Sequence, residues 1–435
     1  MDIPRLVVAA PASGSGKTTV AVAIMAHLRR RGLRVQGWKA GPDFIDPGFH
    51  TLASGHPGRN LDGWMLGEAA CRELFARQPA DIAIIEGVMG LFDGRAGAGG
   101  AGSAAELARW FRAPVLLVVD AAAASGSVAA TAWGFATFDP AAKVAGVVVN
   151  RVAGASHAEA VRSGMRQPVW GMLPRDGRIA APERHLGLVP APERGRAWVD
   201  ALADWIEPLL DWDAILAAAR SAPPLEAPVP MLFAGEPQRP RTRIAVARDE
   251  ALHFYYEDGL DLLVHRGAEL RFWSPLRETP PEADVMYFGG GFPEMFYEQL
   301  SANQPALEAV RAFRGPIYAE CGGLIYLAQA GTDLQGRRYP LAGVIPGETV
   351  MTERLAGFGY REAVAGPGNP LVRESVRGHE FHHSQAQGLD PERPAWLMSG
   401  RADGFADGRV VASYLHVHLA AAPALAEGLV AWPGR

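Results

Sequence analysis

The chain has 435 residues, of which 49% are hydrophobic and 20% charged, and its 42 Lys and Arg against 47 Asp and Glu give a net charge of −5. This length predicts two or three domains, each with its own core. The acidic balance argues against a nucleic-acid-binding protein, because phosphate backbones attract basic surfaces.

Cysteine content and hydropathy indicate the cellular compartment in which the protein is expected to function. Cys71 and Cys321 are too few for a disulfide framework, which favours a reducing compartment. The sequence has no apolar run of the roughly 18 residues that cross a bilayer, so we expect no membrane contact. The first residues enter a predicted strand without the pattern of a signal peptide, and we therefore expect a cytoplasmic protein.

The first half of the chain alternates apolar runs with helical patterns. Helical spacing of apolar residues predicts a helix over 18–30. The runs are typical of parallel strands that are buried on both faces. They cover residues 6–10, 34–38, 82–85, 114–119 and 144–149. This alternation predicts a doubly wound α/β sheet with its ligand site at the carboxyl ends of the strands.

A proline-dense stretch, 221–242, divides the chain and is typical of a semi-rigid linker. Strand-like runs resume at 244–247, 285–288 and 316–319. We therefore predict a first domain over 1–220 and a second α/β domain over 243–435.

Residues 12–19 have the pattern of a phosphate-binding loop between a strand and a helix, although Pro11 holds the place of the usual first glycine. Glycines let backbone amides turn onto phosphate oxygens, a lysine reaches the terminal phosphates, and a hydroxyl can bind Mg²⁺. The candidate nucleotide-binding residues are Gly14, Ser15, Gly16, Lys17 and Thr18.

Carboxylates follow two of the predicted strands. Asp43 and Asp46 lie in the segment 39–47, and Glu86 and Asp93 lie in 86–94. At this edge such side chains can hold Mg²⁺ or position a reacting group, although acids that cap loops occur in the same places. Asn150 follows another run, where it could contact a nucleotide base or simply end the strand.

Cys321 stands at a predicted turn from the strand 316–319 to a helical pattern over 324–330. Such an elbow suits a thiol nucleophile, because the helix N-terminus favours thiolate and nearby amides can bind an oxyanion. The candidate oxyanion donors are Gly290, Gly291 and Gly322.

His416 and His418 are the candidate bases for this thiol. In a strand they share one face, so their spacing does not choose between them. The segment 379–383, His-Glu-Phe-His-His, also matches the pattern of a zinc-protease helix. Its flanking Gly378 and its alternation favour a strand, which argues against a zinc peptidase.

With these motifs in order, the chain closely resembles the cobyrinic and hydrogenobyrinic acid a,c-diamide synthases of corrinoid biosynthesis. The resemblance covers nearly the whole chain. Its most specific segments are 10–18, 39–47, 59–62, 86–94, 289–294, 319–323 and 413–418.

The resemblance implies an N-terminal phosphate-loop domain similar to dethiobiotin synthetase and a C-terminal class I glutamine amidotransferase domain. ATP with Mg²⁺ would activate the a and c carboxylates of the macrocycle, and ammonia released from glutamine by Cys321 would displace the phosphate. His416 matches the base of the family. Lys39 and the four carboxylates would serve substrate activation, with Thr18, Asp46 and Glu86 holding Mg²⁺.

Two positions depart from the general class I pattern: Ala319 stands where that pattern has glycine, and His418 stands where it has an orienting glutamate. The triad is therefore expected to be a dyad with another orienting group. An amidotransferase for another carboxylated tetrapyrrole, a partner-switching ATPase and a binding module without chemistry stay open as alternatives. So do the cobalt content of the macrocycle and the oligomeric state, a homodimer being one option.

Overall fold

Parallel strands form the sheet of the first unit, Met1–Val229, in the computed structural model, which describes residues 1–179 and 192–434. The strands are β1 Arg5–Ala9, β2 Val35–Ala40, β3 Arg59–Leu61, β4 Ile82–Glu86, β5 Val115–Asp120, β6 Val144–Val152 and β7 Val169–Pro174. Their order is β3-β2-β4-β1-β5-β6-β7, and neighbouring strands pair in parallel. The predicted doubly wound sheet is confirmed.

Helices connect these strands and cover the sheet. They are α1 Lys17–Arg30, α2 Asp46–Ser54, α3 Gly63–Ala76, α4 Ala104–Trp110, α5 Ser127–Phe138, α6 Ala155–Arg162, α7 Pro192–Ile206 and α8 Trp212–Arg220. Val20, Ile24 and Leu28 of α1 are fully buried and lie in the core of this unit. This core fixes α1, and with it the loop that precedes it.

Two strands extend beyond their apolar runs. β2 continues to Ala40 and β4 to Glu86, because the parallel pairing of their backbones goes on after the run has ended. Lys39 and Glu86 are therefore strand residues, and they are partners in the register of β2 with β4. This pairing brings two charged side chains to the carboxyl edge of the sheet.

The second unit, Pro230–Arg435, begins inside the proline-dense stretch. Its strands are β8 Thr242–Ala247, β9 Leu252–Phe254, β10 Ala268–Trp273, β11 Val285–Phe288, β12 Gly290–Gly291, β13 Ile317–Glu320, β14 Ala330–Thr332, β15 Arg338–Pro340, β16 Glu348–Met351, β17 Gly357–Ala365, β18 Val376–His382, β19 Ser384–Gln387, β20 Trp396–Met398, β21 Arg401–Asp403, β22 Phe405–Ala406, β23 Val410–Ser413 and β24 His416–Val417. Its helices are α9 Glu257–His265, α10 Tyr297–Ala302, α11 Gln304–Ala312, α12 Gly322–Leu327 and α13 Pro423–Ala431.

Two sheets position the candidate site of this unit. The first has the order β10-β8-β11-β13-β23-β22, in which only β22 pairs antiparallel among the described strands. The second, β21-β20-β17-β18-β24, is antiparallel. The chain passes from β23 in the first sheet to β24 in the second within three residues, so both sheets contribute side chains to one place.

Two local predictions have different outcomes. The strand predicted around 379–383 is confirmed, because His379 to His382 lie in β18. The helix predicted over 324–330 is wrong at its end: α12 stops at Leu327, where Ala328 turns to extended backbone and the chain enters β14. Across the described residues, no helix is long and apolar enough to cross a membrane.

Candidate functional site

The phosphate loop lies between β1 and α1 and owes its shape to two glycines. Gly14 has φ 80° and Gly16 has φ 91°, a region that other residues rarely adopt. A Cβ atom on Gly16 would also lie 2.1 Å from Asn150 Nδ2. Both glycines are thus required by backbone conformation or by close packing, as a phosphate-binding loop demands.

Two residues at the end of β6 hold the loop from outside. The Asn150 amide donates to the Ser15 carbonyl at 3.0 Å, and Arg151 donates to the Gly14 carbonyl at 2.6 Å. Arg151 is itself held by Asp120, at 2.8 and 2.7 Å from its two carboxylate oxygens. Asn150 is therefore near the loop, and its contact with a base stays a prediction.

A buried cluster of charges joins the loop to β2, β4 and α2. Thr18 Oγ1 donates to Glu86 Oε1 at 2.6 Å, and Lys17 Nζ lies 3.9 Å from the same oxygen. Lys39 Nζ lies 2.5 Å from Asp46 Oδ2 and 3.1 Å from Glu86 Oε1. The structure thus brings together five residues that the sequence places in three separate segments.

Sequence reasoning missed His50, whose Nε2 lies 2.7 Å from Glu86 Oε2. His50 is fully buried on α2, four residues after Asp46, so both side chains lie on the same face of that helix. This spacing was the available signal. Lys39 and His50 contact different oxygens of Glu86, which orients the carboxylate.

Burial and neighbouring charges give the two carboxylates of this cluster opposite pKa shifts. Burial raises the pKa of Asp46 to about 6, with the charges of Asp43 and Glu86 adding to the effect. Burial also opposes the ionisation of Glu86, but the Lys39 ammonium and His50 hold the pKa of Glu86 well below its usual value. Glu86 is therefore the permanently ionised member.

The remaining two predicted carboxylates bind backbone amides of their own loops. Asp43 Oδ1 accepts from the amides of Ile45 and Asp46 at 2.6 and 3.2 Å. Asp93 Oδ2 accepts from the Gly90 amide at 2.8 Å, and its side chain is exposed. Both acids therefore stabilise loops in this structure. This agrees with the alternative interpretation of their positions, in which acids at the start of a loop cap it.

The residues beside the phosphate loop provide oxygen ligands of the kind that bind Mg²⁺. Hard oxygen ligands from Thr18, Asp46 and Glu86 converge, since Thr18 Oγ1 lies 2.6 Å from Glu86 and 3.5 Å from Asp46. The Lys39 ammonium lies between the two carboxylates and offsets part of their charge. These residues fit a divalent cation held together with nucleotide phosphates.

Cys321 occupies a strained turn between β13 and α12, with φ 46° and ψ −99°. Its amide donates to the Ser413 carbonyl at 2.7 Å, which fixes the turn to β23. A left-handed, non-glycine residue at a strand-to-helix junction is typical of a nucleophile elbow. The structure therefore agrees with the geometry that the sequence predicted.

Glycine amides surround the thiol. An ideal Cβ on Gly322 would lie 2.9 Å from the Gly291 nitrogen, so the two candidate oxyanion donors are adjacent. Burial, followed by the nearby Glu294 carboxylate, raises the pKa of the Cys321 thiol, while a hydrogen bond from the Gly322 amide opposes the rise. The thiol is thus neutral at rest and needs a base to become a nucleophile.

His416 lies next to this elbow. Its imidazole packs against Gly290, where an ideal Cβ would lie 2.4 Å from His416 Cε1. Its ring stacks on that of His379, its register partner in the pairing of β18 with β24, with centroids 4.9 Å apart. Burial, together with the neighbouring His416 and His418, lowers the pKa of His379 well below its usual value.

His418 has a different environment. Its ring stacks on Tyr256 at 4.3 Å, and its Nδ1 accepts from the Ala420 amide at 3.2 Å. These contacts hold His418 against its own segment and against Tyr256, the residue before α9, whereas His416 packs against Gly290. The geometry therefore favours His416 as the base, a choice that spacing alone left open.

The segment 379–383 does not form a zinc site. Its residues alternate across a strand, and the described residues contain no group of three or more His, Cys, Asp or Glu side chains able to hold a metal ion. Glu380 is instead bound by the guanidinium groups of Arg361 and Arg401.

Two family models match the chain. Residues 6–189 match the CobQ/CobB/MinD/ParA nucleotide binding domain, and residues 243–424 match the CobB/CobQ-like glutamine amidotransferase domain. Among curated proteins, the cobyrinate a,c-diamide synthase of Dehalococcoides mccartyi is 43% identical over 99% of this chain and 98% of its own. The chain belongs to the a,c-diamide synthase family.

Other relatives carry the related name. The hydrogenobyrinate a,c-diamide synthase of Streptomyces coelicolor is 42% identical over 98% of this chain and 97% of its own. That of Mycobacterium tuberculosis is 43% identical over 99% and 98%. Likeness to solved structures is distant: one titled as a glutamine amidotransferase is 16% identical with a TM-score of 0.35, covering 44% of this chain and 99% of its own.

Proposed function

We propose that this protein amidates the a and c carboxylates of cobyrinic or hydrogenobyrinic acid, with glutamine as the nitrogen donor and ATP as the activator. The observation that carries the proposal is the presence, in one chain, of a phosphate loop beside an ionised cluster and of a cysteine elbow beside a histidine. The names of the relatives supply the macrocycle as the substrate class.

In the second unit, Cys321 and His416 would release ammonia from glutamine. His416 takes the thiol proton as Cys321 attacks the side-chain amide, and the amides of Gly291 and Gly322 receive the oxyanion. The same proton then passes to the leaving nitrogen as the carbon–nitrogen bond breaks. Water hydrolyses the resulting thioester, which yields glutamate and restores the thiol.

In the first unit, the buried cluster would activate the carboxylate. A substrate carboxylate attacks the γ-phosphorus of ATP to give an acyl phosphate and ADP, and ammonia then replaces the phosphate. Lys17 supplies positive charge where negative charge spreads over the transferring group. Thr18, Asp46 and Glu86 would hold Mg²⁺, which neutralises phosphate charge when it is bound. Activation is required because a free carboxylate is a poor electrophile.

The decisive experiment supplies the purified full chain with ATP, Mg²⁺ and glutamine, and with cobyrinic or hydrogenobyrinic acid in parallel. We expect a diamide product by mass spectrometry, one ADP formed per amide, and preference for one macrocycle. No product from either acid, with turnover of another carboxylated tetrapyrrole, would overturn the proposed substrate. Light scattering of the same sample tests the homodimer. We place the reaction in the cytoplasm, where Cys321 stays reduced.

A further inference from the structure

The orienting group of His416 is missing from its usual place, because His418 stands there. A histidine that transfers protons usually needs a partner that fixes its tautomer and stabilises its imidazolium. The described surroundings of His416 contain a buried carboxylate that the mechanism above does not use. This is Glu320, the last residue of β13 and the residue before the nucleophile.

Glu320 reaches His416 because of strand register. Glu320 pairs with Ser413 where β13 meets β23, and the chain then turns into β24, which starts at His416. Glu320 Oε2 lies 3.6 Å from His416 Nδ1, and both side chains are 2% exposed. This separation is within the reach of an ion pair, and catalytic hydrogen bonds commonly tighten when the substrate binds.

The other oxygen of the carboxylate is anchored. Glu320 Oε1 accepts from the Tyr318 hydroxyl at 2.8 Å and from the Val417 amide at 3.4 Å. One oxygen is thus held by the two strands, and the other faces the imidazole. A carboxylate at Nδ1 selects the tautomer that leaves Nε2 to exchange a proton with the thiol.

Neighbouring titratable groups do not supply this negative charge. Those that interact with Glu320 or His416 are Tyr255, Tyr287, Tyr318, Cys321 and His379. Glu294 and Asp403 interact with Cys321, and burial raises the pKa of both carboxyl groups. Burial raises the pKa of the three tyrosines and of the thiol, and burial lowers the pKa of His379, so these groups stay neutral near pH 7. His418 is held by Tyr256 and Ala420.

We propose that Glu320 is the positioning residue of the amidotransferase site, completing a Cys321–His416–Glu320 triad in which the carboxylate comes from the residue before the nucleophile. The proposal rests on the glutamine-hydrolysing half of the proposed function. It needs no corrinoid, so a failure of the macrocycle assay leaves its test intact.

The test measures glutamine hydrolysis by the full chain as a function of pH. Glu320→Gln keeps the size of the side chain and an acceptor for Tyr318 but removes the charge. We expect kcat to fall on the order of 100-fold or more, as when a triad carboxylate is made neutral, with KM for glutamine within about threefold. The acidic limb of the kcat profile, where the base becomes protonated, should move about one pH unit lower, because the imidazolium loses a neighbouring opposite charge.

Two further variants separate positioning from structure. Glu320→Asp keeps the charge, and we expect it to keep the acidic limb in place and recover most of kcat. Glu380→Gln makes the same change at a buried carboxylate that binds Arg361 and Arg401 instead. We expect it to lower thermal stability without moving the limb. If Glu320→Gln does not fold, the position of the acidic limb of the kcat profile in Glu320→Asp and the double-mutant alkylation cycle described next decide.

A double-mutant cycle provides the sharpest readout. Glu320→Gln and Glu320→Asp are combined with His416→Ala, and the rate of Cys321 alkylation by iodoacetamide is measured. If Glu320 acts through His416, its replacement has no further effect once the imidazole is gone. Three results would each overturn the proposal. They are additive losses in the cycle, a kcat for Glu320→Gln within threefold of the parent, and a shift of the acidic limb of the kcat profile equal to that of Glu380→Gln.

Discussion

Lys39 and Glu86 are register partners on adjacent parallel strands, and Lys39 Nζ lies 3.1 Å from Glu86 Oε1 at the carboxyl edge of the first sheet. The Lys39 ammonium also lies 2.5 Å from Asp46 Oδ2, and the lysine is 2% exposed. The charge of Asp46 and Glu86 outweighs the effect of burial and raises the pKa of Lys39, which therefore stays protonated. This ammonium links two carboxylates that must otherwise repel each other.

The first prediction concerns that link. Replacing Lys39 with methionine leaves two buried carboxylates without their cation, and breaking a buried pair in this way costs about 3 to 5 kcal/mol. We expect Lys39→Met to lower the free energy of unfolding of the first unit by that order and to abolish synthesis. Urea denaturation of the full chain, followed by circular dichroism, measures the change.

A matched double variant is the control. Lys39→Met with Glu86→Gln removes one of the stranded charges and should recover part of the lost stability without recovering synthesis. If the stability lost in the double variant equals the sum of the losses in Lys39→Met and Glu86→Gln measured separately, the two residues are not electrostatically coupled.

The second prediction separates the two chemistries. Cys321→Ala should lose glutamine-dependent amidation but keep amidation with high external ammonium, because the thiol only liberates ammonia. Lys17→Ala should lose both, since a phosphoryl clamp can contribute several kcal/mol in the transition state. Initial rates with each nitrogen source measure this. Cys71→Ala, which changes the other buried cysteine, should keep both activities.

The sequence predicts a good part of this architecture because the informative signals are local. The phosphate loop, the elbow and the continuous strand runs each lie in a few consecutive residues. His50, Glu320 and His379 were missed as site residues because their roles depend on register between strands or on a helix packed against a sheet. The segment 379–383 shows the same limit: its alternation predicted a strand and argued against zinc, but only pairing with β24 places His379 against His416.

The third prediction concerns pH. Burial raises the pKa of Asp46 to about 6, above its value in an unfolded chain, so protonation between about pH 7 and 5 removes its charge in the folded protein. Mg²⁺-dependent ATP affinity should therefore weaken as the pH falls through about 6. By the same sign, the contribution of Asp46 to stability is greatest at low pH and is lost as the pH rises through about 6.

Calorimetric titration at pH 7.5, 6.5 and 5.5 measures the affinity without any corrinoid. Asp46→Asn carries no titrating group there and should bind weakly with little dependence on pH. A parent protein whose affinity stays constant over this range would contradict a role of the Asp46 charge in cation binding.

The fourth prediction uses the packing of Gly290 against the imidazole. A Cβ at this position would lie 2.4 Å from His416 Cε1, closer than any real contact, so Gly290→Ala must displace the ring. We expect glutamine hydrolysis to fall by about 100-fold, because small misplacements of catalytic groups are costly. Ammonia-dependent amidation should persist. Gly434→Ala, where no heavy atom lies within 4 Å of the added carbon, is the neutral comparison.

The last prediction concerns which histidine is the base, His416 in β24 or His418 in the turn that follows it. His416 packs against Gly290, whereas His418 stacks on Tyr256 and accepts from the Ala420 amide. Loss of the base removes the proton acceptor of the thiol outright, while loss of a supporting residue only loosens the site. We therefore expect His416→Ala nearly to eliminate thioester formation and His418→Ala to weaken it less. Rates of Cys321 alkylation and of glutamine hydrolysis, each measured in both variants, test the order. A larger defect in His418→Ala would reverse the assignment, and it would also remove Glu320 from the role proposed above, since Glu320 faces His416.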